Sequence, residues 1–248
     1  MKTITIFIAI VLAASSLLAQ DMKSNIEEIK VTPPRFTGII QNPQILGEDD
    51  FVSFEKYLIN NLQYPQEVIN SGAEGTELVR FEVSADGKLS SFEVLNSVDP
   101  EIDEAIHAIL LTTCGMWKAG EANGDPVSMP KEIAIEFKWK QYESLNNTRD
   151  FDALAKLYMT KGTEQLMHKN NAKKALKFFN HGINYRPNED CLLMGRCLCK
   201  YELGDEEGAR ADWARIQSSG VSDEAISLLD NYNNLKGSTD LELQLGLK

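Results

Sequence analysis

The apolar residues of this 248-residue chain change their spacing near Tyr142, and that change demands two kinds of structure in one polypeptide. Before it, Val79, Phe81 and Val83 alternate with Arg80 and Glu82, and Ile133, Ile135, Phe137 and Trp139 alternate with Ala134, Glu136 and Lys138. Successive strand residues point to opposite faces, so a period of two predicts strands with one apolar face. Asp86-Gly87 marks a hairpin, because the tight turn needs positive φ, and Phe92 and Val94 fall on the returning strand. A further short strand is expected near Ile29 to Thr32. One helix is expected to start at Asp49 or Asp50, to carry Phe51, Phe54, Leu58 and Leu62, and to end before Pro65. A second starts at Asp99-Pro100-Glu101, with proline in the first turn and acid at the positive dipole end. It carries Ile102, Ala105, Ile106, Ile109, Leu110 and Thr113. A loop rich in Gly and Asn then leads into the third strand. The expected fold class is α+β, two helices on a three-stranded antiparallel sheet, with Arg80, Glu82 and Glu136 on a wet opposite face.

After the change, residues recur at a fixed interval of 34. Ala175, Phe179 and Gly182 return as Ala209, Trp213 and Ile216, Met167 as Tyr201, and Asn170 as Gly204. Pro187 closes the first unit. A helical pattern with this period resembles the tetratricopeptide repeat, a helix-turn-helix in which alanine permits close approach and an aromatic fills the groove between helices. Two units and a final helix over about 222 to 235 give an all-α tail over 150–236, followed by a flexible 237–248. Three repeats are the usual minimum for independent stability, so the tail is expected to lean on its neighbour.

The first residues have the layout of an export leader. Lys2 precedes an apolar run from Ile4 to Ala14, and Ser15, Ser16, Leu17, Leu18 and Ala19 follow. A signal peptide over 1–19 is therefore expected, cut after Ala19 or Gln20, with an extended segment over 20–50 behind it. The cleaved protein would be periplasmic. If the leader is retained, Thr3 to Ala19 is a short inner-membrane anchor, at the low end for crossing ~30 Å of hydrocarbon.

Charge and chemistry narrow the functions. A net charge of −12 repels nucleic acid and anionic lipid. His107, His168 and His181 sit on helical stretches without a fixed acid or nucleophile, and no esterase elbow, phosphate loop or His-Glu-x-x-His is present. Acid pairs such as Asp49-Asp50 and Glu206-Glu207 read as helix-start charges. No catalytic residue, metal, cofactor or small-molecule substrate is expected. Cys114, Cys191, Cys197 and Cys199 read as small buried thiols. Two helical turns separate Cys191 from Cys199, ~12 Å, beyond the reach of a disulfide.

Several segments together resemble one family. They are VTPPRFTG (31 to 38), YLINNLQYP (57 to 65), GAEGTELVRFEVSADGKL (72 to 89), DPEIDEAI (99 to 106), MWKAGEANGDPV (116 to 127) and IAIEFKW (133 to 139). Their order resembles the TonB C-terminal domain, in the form common among Bacteroidetes, over residues 51–140 with the match starting near 28. The resemblance implies a protein partner, an outer-membrane TonB-dependent receptor or another envelope protein, whose extended segment adds beside the domain's last strand. A second copy of this chain stays open as a partner. The implied contact residues are Gln63, Tyr64 and Pro65 with Ile133, Ala134, Ile135, Glu136, Phe137 and Lys138. Lys138 and Lys140 are charges of the kind that blunt an edge, so Ile133 to Trp139 is read as an edge strand rather than a buried central one. Trp117 and Trp139 are read as core. The groove around Phe179 and Trp213 is a second candidate surface.

The resemblance also allows a transducer powering outer-membrane uptake. Against that role stand the cleavable leader, the extra helical tail and the short spacer. Residues 20 to 50 reach at most ~100 Å fully extended.

Overall fold

The computed structural model describes residues 3–9, 29–38, 54–62, 65, 68, 70, 72–140, 150–232, 235, 237–238 and 241. The chain forms two compact units that divide between Asn146 and Asn147.

The first unit is α+β. Its strands are β1 (Thr3–Ala9), β2 (Val31–Thr32), β3 (Arg35–Phe36), β4 (Gly75–Val83), β5 (Leu89–Asn96), β6 (Trp117–Lys118), β7 (Gly120–Ala122), β8 (Asp125–Val127) and β9 (Met129–Lys140). Helices α1 (Phe54–Asn61) and α2 (Pro100–Thr112) are described over their full lengths. The main sheet runs β1-β9-β4-β5, and all its pairings are antiparallel.

The predicted hairpin and both helices are present. Gly87 turns the β4–β5 hairpin at φ 76°, and a Cβ there would lie 2.3 Å from the Trp117 carbonyl oxygen, so no other residue fits. Asp99 caps α2 by accepting from the Glu101 amide at 3.0 Å, with Pro100 in the first turn. Residues 51–53 of the first expected helix lie outside the described residues.

Two expectations need correction. The sheet has four strands, not three, because Thr3–Ala9 joins it as β1. Thr-Ile-Thr-Ile-Phe-Ile is as rich in β-branched residues as it is apolar, and that composition suits a strand as well as a leader. β9 therefore lies between β1 and β4 instead of at the edge. The second correction concerns the opposite face. Glu136, expected to be wet, is only 6% exposed, as is Ala134 on the same face. Glu136 pairs with Lys138 Nζ at 2.6 Å, and Arg80 pairs with Glu132 at 2.6 Å, so these buried and half-buried charges are compensated.

On the other face, Val79, Phe81, Val83, Ile133, Ile135 and Phe137 pack with Leu58, Ile102 and Ile106. Trp117 is core, as expected. Its ring lies 5.2 Å from Phe36 and from Phe81, and 5.3 Å from Phe54, and its Nε1 donates to Thr113 Oγ1 at 2.9 Å. The side chain of Trp139 lies outside the described residues.

The second unit is all-α. It contains α3 (Phe151–Thr163), continued by a π-helical turn over Glu164–His168, then α4 (Ala172–Tyr185), α5 (Asp190–Leu203), α6 (Glu206–Ser219) and α7 (Asp223–Asn231). α4 and α6 start and end 34 residues apart, and Ala175, Phe179 and Gly182 are buried on one as Ala209, Trp213 and Ile216 are on the other. The Phe179 ring occupies the space that two missing side chains leave: a Cβ on Gly162 would meet it at 2.8 Å, and one on Gly195 at 2.4 Å. Asp212 is buried on α6 and accepts from Arg196 Nη2 at 2.6 Å and Lys200 Nζ at 2.8 Å, tying α6 to α5.

Three further readings change here. Cys191, Cys197 and Cys199 are buried free thiols, each pushed up to about 12 by burial, but Cys114 is exposed at the end of α2. Gly237, Ser238 and Leu241, placed by sequence in a flexible tail, are buried, because Gly237 lies against the Tyr201 ring and Leu241 joins the core. Phe179 and Trp213 are core side chains and do not line a groove open to a partner. Among the described residues no helix is long and apolar enough to cross a membrane.

Candidate strand-addition site

The site grows from β9. Its apolar period of two places Ile133, Ile135 and Phe137 in the core, none more than 1% exposed. Their rigid packing fixes the direction of the strand's outer main-chain donors and acceptors. Ala134, Glu136 and Lys138 point to the opposite face. Over Ala134–Lys140 the outer edge of β9 is paired antiparallel with β1, from Thr3 opposite Lys140 to Ala9 opposite Ala134. The inner edge pairs with β4 from Met129 opposite Val83 to Phe137 opposite Gly75. Thus one strand holds six of the nine expected contact residues in a single register. Pro65 is half-buried in the segment after α1, while Gln63 and Tyr64 lie outside the described residues.

The pairing with β1 stops at Ala134, and among the described residues no strand pairs with the outer edge of 129–133. A cavity of about 600 Å³ lies beside this stretch, within the size range of ligand and anchor pockets. Pro33, Pro34, Phe36, Phe54, Trp117 and Ile133 make it apolar, and Arg35, Lys118 and Lys131 add positive charge to it. Lys118 is paired with Glu121 at 2.8 Å. Burial pushes the Lys131 ammonium below its ordinary value.

The sequence reading missed this cavity. In sequence, Pro33-Pro34 reads as part of an extended segment, and the Gly- and Asn-rich stretch before the third strand reads as a loop. The signal for the second was present. Asn123-Gly124 turns the β7–β8 hairpin with φ of 54° and 91°, the dipeptide and the dihedral signs of a tight hairpin. The β7 strand then pairs with β2, and β6 pairs with β3. These pairings set Phe36 against Trp117, and Pro33, Pro34 and Trp117 wall the same cavity.

Residues 60–139 match the family model described as Gram-negative bacterial TonB protein C-terminal. No curated protein and no solved structure matches the chain.

Proposed function

From the premise that residues 60–139 are a domain of the TonB C-terminal family, a protein-interaction domain of the cell envelope, we propose that the chain binds its partner by β-strand addition. The partner's extended segment pairs with the outer edge of β9, and an outer-membrane receptor is the class of partner the family suggests. Main-chain hydrogen bonds then supply affinity, and pockets along the edge supply choice. The observation that carries this reading is the β1–β9 ladder. It supports an edge able to hold a seven-residue extended segment, antiparallel and in one register.

In the full chain β1 competes with any partner for this edge. Leader cleavage after Ala19 or Gln20 would remove that competitor, which fits the reading of an exported protein.

Thr5→Pro/Ile6→Pro gives a direct test. Amides alternate in direction along a strand, so one of two adjacent prolines must delete a ladder donor. The variant is expected to bind a lysine-flanked peptide copying residues 3–9, measured by calorimetry. Two N-methylated versions, blocking alternate amides, should separate. One should bind and the other should not. Equal binding by both would show that the edge is not engaged through main chain.

A further inference from the structure

Beyond Ala134 the edge of β9 runs on to the apolar cavity, and the register of β1 says what would arrive there. In an antiparallel pair, residues directly opposite share a face. Thr3 to Ala9 lie opposite Lys140 to Ala134, so a strand continued past the position of Ala9 would meet Ile133, then Glu132, then Lys131. Ile133 and Lys131 both line the cavity and lie on the core face of the sheet, opposite Val79 and Phe81 in β4. Glu132 faces the other way and is engaged by Arg80.

We propose that this domain selects its partner by a two-point code read at the cavity: a large apolar side chain opposite Ile133 enters it, and an acidic side chain two residues later pairs with Lys131. The proposal rests on the strand-addition reading and deepens it. Three observations support it. The cavity is walled by three aromatic rings and two prolines, a lining that rewards an apolar anchor. Lys131 places a positive charge at the cavity, beside Arg35 and the Glu121-paired Lys118, in a chain of net charge −12, so an acid finds a cationic partner there. Lys131 also makes no ion pair among the described residues, and its burial disfavours its own charge, a cost that an arriving carboxylate relieves. The chain's own residues after Ala9 are Ile10, Val11 and Leu12, which contain no acid. A partner meeting the full code is therefore distinguished from the leader at the charged position.

The test uses the full chain carrying Thr5→Pro/Ile6→Pro and a peptide copying residues 3–9, extended by Leu-Ser-Asp at its C-terminal end. Replacing the added Leu by Ala is expected to weaken binding roughly tenfold, the scale of burying one large apolar side chain. Replacing the added Asp by Lys should weaken it by roughly fivefold, the upper end for one cross-strand charge pair. Lys131→Glu should reverse that preference, so that the Lys peptide binds better than the Asp peptide. A purely structural role for Lys131 would not produce this reversal, and Lys131→Gln should erase the preference without reversing it.

The outcomes separate the two ideas. Sensitivity to N-methylation with indifference to the Leu and Asp changes overturns the code and leaves strand addition standing. Sensitivity to Leu and Asp with indifference to both N-methyl patterns keeps the cavity as an anchor site and overturns strand addition. No binding by any peptide overturns both.

Discussion

Phe179→Ala is expected to destabilise the helical unit by roughly 3–5 kcal/mol, the range for emptying a fully buried phenylalanine site. The ring has no exposed surface and sits against two glycines, Gly162 on α3 and Gly195 on α5. Glycine has no side chain that could swing into the hole, so on these two sides the cavity can shrink only by moving helices. Urea titration followed by helical circular dichroism measures the loss. For a unit of about 100 residues it corresponds to a fall in melting temperature of roughly 15 °C or more. Gly195→Ala should also destabilise, for the opposite reason: its Cβ would be 2.4 Å from the Phe179 ring, where nothing fits. The two sites share one volume, so Phe179→Leu combined with Gly195→Ala should cost less than the sum of the single changes. A loss below about 1 kcal/mol for Phe179→Ala would show that the ring is not the central filler of this unit.

That volume shows how much the sequence revealed of the tail. The 34-residue interval located Phe179 and Trp213 and the alanines beside them, because a repeated packing solution leaves a repeated residue pattern. It could not say that these aromatics are sealed from solvent. Accessibility depends on which glycines on neighbouring helices let the ring sink in, and Gly162 and Gly195 stand outside the recurring set. In the first unit, alternation at 79–83 and 133–139 sufficed to place β4 and β9 and their core faces. Their neighbours were harder. Residues 3–9 are apolar and β-branched at once, and local sequence does not decide between a leader and a strand that finds an unpaired edge. The cavity was least legible, because it exists only where β2–β7 and β3–β6 bring residues 31–36 against residues more than eighty positions later. Lys131 carried no local signal, since its position becomes notable only beside Trp117 and Pro33.

Glu77 gives the first unit a strong pH dependence. This carboxyl on β4 has no exposed surface; one oxygen accepts from the Val98 amide at 2.8 Å, and among the described residues no donor satisfies Oε1, which leaves the group to interact with the Asp103 carboxyl. Burial, joined by the nearby Asp103 and Asp99 carboxyls, pushes its pKa from 4.5 up to about 9. At neutral pH the folded protein therefore holds a proton that the unfolded chain has released. Below the unfolded value both states are protonated and the group's contribution is fully present. As pH rises from 4.5 toward 9, the unfolded chain gains its preferred charge while the folded one cannot, and stability drains away. The slope is about 1.4 kcal/mol for each pH unit while that difference of one proton lasts. Glu77→Gln keeps the acceptor for Val98, supplies a neutral donor on the Asp103 side and cannot ionise. It is expected to match the wild type near pH 4.5 and to exceed it progressively above that, by a few kcal/mol at about pH 8. Denaturant titrations of the two proteins across this range, monitored by a signal from the sheet unit, measure the difference. Parallel stability curves would show that Glu77 is ionised in the folded state, and that a charge on β4 is accommodated at the start of α2 despite Asp99 and Asp103.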